Sequence, residues 1–445
     1  MSTGRLTEFI HRTRWEDIPA SVRHEAKRSL LNFFACALGG CRDAVVEALA
    51  ASVKPFAGSA EATVIGRGER ADALTATFLN AAGANVFDFD DTHTRTVIHP
   101  AAPVAPALFA LAERSPMSGR ELLLAFVLGV ETECRVGNAV SPAHYRRGWH
   151  ITSTCGVFGA AAAIAKALGL TQERIVWALG NASAQAGGLL ETLGTMGKSV
   201  SVGNAARNGF AAALYAQHGV SGPARPLEGV YGFLRVTTGE SVEPDALTAG
   251  LGEQWEAGLN TYKLYPAGIV LNPVIEACLA LAQEERIDPV AIEHVEIVGH
   301  PLLRERTDRV HPASGREAQV SAQHAVAVAF TRGRAGLEEF SDSCANDASL
   351  RPLREKVSFV DDSERSVESA IVTIGLRGGH AVTKHVDCAL GSASRPLSDA
   401  QIEQKLRDLV QFGRSGCDAA RLIDAVWALE SADDAASLVR LAAGR

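Results

Sequence analysis

At 445 residues the chain has room for two or three domains with sizeable buried cores. Its 47% hydrophobic and 21% charged residues exclude extensive disorder, and its net charge of −8 offers no general attraction to nucleic acid or anionic membrane. Eight cysteines without a CxxC pair give no grounds for a zinc site, a disulfide ladder or an iron–sulfur cluster.

Residues 1–17 carry charges throughout and lack an apolar signal core, and Lys166 interrupts the longest apolar run. A cytoplasmic protein with neither a membrane nor a nucleic-acid partner is expected. From Ser21 to Gly40, apolar residues recur at helical spacing, with Pro19 suited to the first turn and Gly39-Gly40 to the stop. Similar periodicity predicts helices over Ala71–Ala84, Pro103–Glu113, Gly119–Ala139, Gly156–Leu168, Glu173–Ala186 and Ala205–His218. Strand-like alternation is scarce up to about residue 260.

Between the second and third of these helices lies the densest chemistry of the chain. Asp88, Asp90, Asp91, Thr92, His93 and His99 fall within twelve positions and end on a His99-Pro100 step. Carboxylates and imidazoles crowded at a loop-to-helix junction shift one another's pKa values, which is how acid–base chemistry is built. The same groups bind divalent cations, but their spacing here matches no metal-ligand pattern. His150 leads through Ile-Thr-Ser-Thr to the small-residue helix expected from Gly156. Such an N-terminus, with its free N–H groups, is a natural seat for a carboxylate. Gly194-Thr-Met-Gly-Lys-Ser199 lacks the first glycine of a P-loop, because Thr192 stands there. Lys198 therefore reads as a fixed cation for a carboxylate. An acidic protein that takes a polycarboxylate must gather positive charge locally, and Lys198, Lys263, Arg95, Arg146 and Arg147 are the candidates.

Past Tyr265-Pro266 the texture changes. Asn272–Arg286 and Gln319–Phe330 read as helices and Ile292–Val298 as a strand, with Ile292, His294 and Glu296 on one face and Glu293, Val295 and Ile297 on the other. Ser366–Leu376 and His380–Leu390 are β-rich runs around a turn at Arg377-Gly378-Gly379. At Ser398 an N-cap with Gln401 three positions on restarts a helical pattern that runs through Leu441.

Five segments occur in a telling order: the Asp88–Pro100 loop, Gly148–Leu170, Met196–Gly209, Lys263-Leu-Tyr-Pro266 and Glu317–Ser321. In that order and at those separations the chain resembles the MmgE/PrpD family, which includes 2-methylcitrate dehydratases, cis-aconitate decarboxylases and iminodisuccinate epimerases. The resemblance runs from Ile18-Pro19 to Pro396-Leu-Ser398. It implies a mostly α fold: a large all-α helical domain (1–265), an inserted smaller α+β domain (266–396), and C-terminal helices (397–445) that return to the first domain. It also implies a homodimer and a reaction that needs no cofactor and no metal. His99, His150, Asp88 and His324 become the expected catalytic residues, and Thr92, Lys198 and Lys263 the expected substrate ligands, gathered in a cleft between the domains. The expected reaction starts with abstraction of a proton α to a carboxylate of a small di- or tricarboxylate. Dehydration is the leading exit, decarboxylation and epimerisation are the alternatives, and a non-catalytic carboxylate-binding or assembly subunit is the reading from another class. Three positions depart from the family's habit: Ser201 and Asn272 where histidine is frequent, and His324 where tyrosine is common.

Overall fold

Apolar residues at helical spacing make this chain mostly α, and the computed structural model, which describes residues 1–56, 58–239 and 244–444, is 57% helical. Two compact units divide it. The large unit is Met1–Val86, Asp90–Asn260 and Ser398–Arg445, and the small unit is Phe87–Phe89 with Thr261–Leu397.

In the large unit the helices follow as α1 (Ser2–Arg12), α2 (Ala20–Gly40), α3 (Ala44–Val53), α4 (Ala73–Asn85), α5 (Ala101–Arg114), α6 (Gly119–Val140), α7 (Ala143–Arg146), α8 (Ile151–Ala167), α9 (Gln172–Ser183) and α10 (Gly197–Gln217). Helix α8 is the axis of the core. Every residue from Ile151 to Ala165 is buried, and α5, α6, α9 and α10 pack around it. Its small side chains allow approach at backbone distance. A Cβ on Gly209 of α10 would lie 2.5 Å from the Val157 carbonyl oxygen, and one on Gly129 of α6 would lie 2.9 Å from that of Gly159. Helix α6 starts on a capping box in which Ser118 and Glu121 bond each other's backbone N–H. A short hairpin, Ala62–Val64 with Glu69–Ala71, interrupts this helical unit.

Two helices start five or more residues before the expected positions, and both differences bear on the site. Helix α8 begins at Ile151 rather than near Gly156, so Thr152, Ser153 and Thr154 form its first turn and His150 is its N-cap. β-branched threonines lower intrinsic helix propensity, but complete burial of the helix overrides that preference. Helix α10 likewise begins at Gly197, which places Lys198 in its first turn.

The small unit has a four-stranded sheet in the order Val357–Asp361, Ile292–Gly299, Ala370–Leu376, Ala381–Val386. Its first pair is parallel and the others antiparallel. Ile292, Val295 and Ile297 are all buried, contrary to strict alternation, because the register shifts between Ile292 and His294. The turn after Leu376 uses Gly378 and Gly379, both at positive φ (90° and 81°). Helices Asn272–Glu284 and Ala322–Arg332 cover the buried face. Ser398 and Gln401 form the expected capping box, opening helix Asp399–Phe412 of the large unit. Among the described residues no helix is long and apolar enough to cross a membrane, and no disulfide joins the eight cysteines.

Candidate active site

The loop from α4 to α5 is held in an unfavourable backbone shape. Asp88 and Val97 have φ of 51° and 55°, and a β-branched residue in that region needs its surroundings to hold it there. His93 supplies part of the hold. Its Nδ1 lies 2.8 Å from Thr96 Oγ1 and its Nε2 2.9 Å from Glu256 Oε2, while the backbone N–H of His93 donates to the Ile98 carbonyl at 2.8 Å.

Pro100 ends this loop, and α5 begins at Ala101, so His99 sits at the mouth of that helix. Its side chain is 9% exposed. Nδ1 lies 2.9 Å from the Asp91 carbonyl oxygen, 3.3 Å from Asp90 Oδ1 and 3.4 Å from Thr92 Oγ1. A carbonyl oxygen only accepts, so Nδ1 carries the hydrogen and Nε2 carries the lone pair of the neutral ring. The backbone N–H of His99 donates to Thr152 Oγ1 at 3.2 Å, which ties this loop to the first turn of α8.

His150, the N-cap of that same helix, is also buried. Its Nδ1 lies 3.0 Å from Ser153 Oγ and 3.3 Å from Ser201 Oγ. Ser153 Oγ donates to the His150 carbonyl at 3.0 Å and Ser201 Oγ to the Lys198 carbonyl at 2.8 Å. With both hydroxyl hydrogens committed to carbonyls, His150 Nδ1 is the donor, and Nε2 again holds the lone pair. Gly188 accepts from the His150 N–H at 3.0 Å, and a Cβ there would lie 2.0 Å from Ser153 Oγ. Lys198, half-buried, stands one helical turn before Ser201.

In the small unit, Lys263 Nζ donates to the Asp88 carbonyl at 2.7 Å and to Asp88 Oδ2 at 2.8 Å. The lysine is buried, so the pair is an ion pair largely removed from water. Asp88 thus holds Lys263.

Residues 4–245 match the MmgE/PrpD N-terminal domain and residues 265–430 the MmgE/PrpD C-terminal domain. The chain belongs to the MmgE/PrpD family. It is 29% identical over 470 residues to the cis-aconitate decarboxylase-like protein oryM of Aspergillus oryzae, covering 99% of this chain and 97% of that one. Identity is 30% to the cis-aconitate decarboxylase of Aspergillus terreus, with 99% and 95% covered. It is 28% to the cis-aconitate decarboxylase of Homo sapiens, with 99% and 94% covered.

The three departures from the MmgE/PrpD pattern fall in different surroundings. Ser201 touches His150, as described above. Asn272 is buried at the start of its helix, where its Nδ2 lies 3.4 Å from the Gly268 carbonyl. His324 is fully buried. Its Nε2 lies 2.6 Å from the Glu339 carbonyl oxygen, and Arg354 donates to its Nδ1 at 2.7 Å. This is the opposite tautomer from that of His99 and His150. Burial first, and then the Arg354 charge, push its pKa down, against the Glu339 hydrogen bond, to about 4. The expectation of an acid at His324 therefore meets a neutral ring with both nitrogens bonded inside the small unit.

Asp90, Thr152 and Ser153 touch the two candidate histidines but carried no assigned role in the sequence. Only the Asp-rich loop and the Thr-Ser-Thr run signalled them. Asp90 Oδ1 and His99 Nδ1 are also groups that ligate divalent cations.

Proposed function

We propose that this MmgE/PrpD protein is a cofactor-independent lyase of a small di- or tricarboxylate, with decarboxylation of a cis-aconitate-like acid as its reaction. The observation that carries the reading is the matched pair of buried imidazoles, His99 and His150, each with Nδ1 bonded to protein oxygens so that Nε2 is the basic atom. An imidazole held in one tautomer gives and takes protons at neutral pH without reorganising. The full-length likeness to proteins named cis-aconitate decarboxylases moves decarboxylation ahead of dehydration, the exit that the sequence motifs placed first.

In this reading CO2 leaves one carboxylate, and the electron pair it leaves shifts through the neighbouring double bond. The far carbon then takes a proton from the imidazolium form of one histidine. Lys198 and Lys263 are the cations assigned to the remaining carboxylates. Charge developing in a partly dry site is stabilised most by such fixed partners. Epimerisation or dehydration would use the same bases, with proton removal as the first step.

The test is incubation of the purified protein with cis-aconitate, citrate, 2-methylcitrate and iminodisuccinate in deuterated water, followed by NMR. Loss of one carboxylate with uptake of one deuterium from cis-aconitate is the expected result. Deuterium exchange or water loss in another acid alone would select a different exit. No turnover and no exchange in any acid would favour the non-catalytic carboxylate binder. Turnover that survives exhaustive chelation is part of the same reading, and loss restored by one divalent ion would overturn that part.

A further inference from the structure

The carboxyl of Asp91 is fully buried in the large unit, yet it takes no part in the proton transfers assigned above. Three donors from three separate stretches of chain converge on it. Ser29 Oγ of α2 lies 2.7 Å from Oδ2, Asn260 Nδ2 lies 2.6 Å from the same oxygen, and the Ala101 N–H at the mouth of α5 lies 3.3 Å from Oδ1. The main-chain carbonyl of this residue is the oxygen that receives His99 Nδ1–H.

We propose that Asp91 is a positioning residue for His99: its carboxyl pins the loop to α2, Asn260 and α5, so that its carbonyl fixes the tautomer and tilt of the imidazole. This rests on the reading that His99 transfers the proton. Two further facts support it. Val97, two residues before His99, is held at positive φ, so the loop's shape has to be imposed from outside. Burial lifts the Asp91 carboxyl to about 7, with the neighbouring Asp90 charge adding to the rise while Ser29 and Asn260 oppose it. A carboxyl kept in so unfavourable a place by long-range partners resembles the outer-shell groups that orient site ligands.

Asp91→Asn is the deciding substitution. Wherever its amide turns, a donor meets a donor, either Asn260 Nδ2 or the Ala101 N–H. Exchanging the two residues (Asp91→Asn with Asn260→Asp) restores a donor facing an acceptor. Two readouts apply: steady-state kinetics on cis-aconitate, and the 15N imidazole signals of His99, which report the tautomer without requiring turnover. The single variant is expected to lose about tenfold to a hundredfold in kcat with KM within about twofold, the scale of a misplaced reacting group. Its His99 signals should move from one Nδ1–H tautomer to a mixture. The exchange variant should recover most of both. If Asp91→Asn yields no folded protein, Ser29→Ala removes one donor and should give a smaller change in the same direction. Wild-type ring signals in Asp91→Asn, or in Ser29→Ala if that is the folded variant, would overturn the proposal. His99 signals that change as expected in the variants of a protein whose wild type is inactive on every acid would overturn the assigned reaction and leave the positioning role standing.

Discussion

His99 and His150 in the large unit and His324 in the small unit are all buried, but their hydrogen bonds differ in kind. The first two give Nδ1–H to oxygen. His324 takes a hydrogen from Arg354 at Nδ1 and gives one to a carbonyl from Nε2. Bonds at both nitrogens, one of them from a guanidinium, favour the neutral ring. In His99 and His150 the oxygen at Nδ1 fixes the hydrogen there, which makes Nε2 the basic nitrogen of the neutral ring. Burial and residue type cannot separate these cases, whereas the identity of the Nδ1 partner does.

The largest effect that could break this contrast is on turnover. His99→Asn and His150→Asn are each expected to cut kcat by about a hundredfold or more while circular dichroism stays unchanged, as loss of an acid–base group does. His324→Gln should leave kcat within a few-fold. Equal losses at all three positions would end the distinction.

Next comes the pH dependence of stability. The folded pKa of His324 is about 4, below the ordinary 6.5, so folding favours the neutral ring. Its contribution is complete above about pH 6.5 and is lost as pH falls toward 4, on the order of 3 kcal/mol over that window. Urea titrations at pH 7.5 and pH 4.5 should show His324→Gln losing less stability on acidification than the wild type. His144, buried beside α8 with its pKa pushed down to about 4 by burial, acts in the same direction, whereas the buried carboxyls of Asp91 and Glu131, raised to about 7, act in the opposite one.

A smaller effect separates charge from proton transfer. Lys198→Met should raise KM and lower kcat together by about tenfold, because a carboxylate's partner acts in the ground and transition states alike. A change in kcat alone would move Lys198 from binding to chemistry. The smallest effect is a calibration. Ser398→Ala removes a capping box remote in sequence from every histidine named here and should cost about 1 kcal/mol with unchanged kinetics.

Much of this architecture was legible in the sequence, for definite reasons. Long helices such as α2, α5 and α6 announce themselves through apolar period and end signals, and the Ser398–Gln401 box needs only four residues to be recognised. Helix α8 starts five residues before its apolar pattern predicts because propensity is local, and its threonines are held helical by packing from four other helices. The shifted register at Ile292 depends on the partner strand, so alternation within the strand could not show it. The site divides in the same way. His99, His150, Lys198 and Lys263 stand in recognisable motifs. The contacts that set their states join residues far apart in sequence, Asn260 to Asp91 across 169 positions and His150 to Ser201 across 51. Arg354 reaches His324 from 30 positions away, and no motif around His324 anticipates that guanidinium.

The glycine contacts along α8 carry a mechanical consequence. His150 caps the end of a helix whose spacing from α10 is set where Gly209 rests on the Val157 carbonyl, seven residues or about 10 Å along the axis from the imidazole. One methyl group at position 209 would push the two helices apart. Helix α8 carries His150 and α10 carries Ser201, so their hydrogen bond would stretch as well. The alignment of the His150 imidazole is thus governed by the thickness of a backbone contact two turns away. Gly209→Ala is accordingly the kind of change that would be found in a screen for lost activity and mistaken for a surface-neutral alanine.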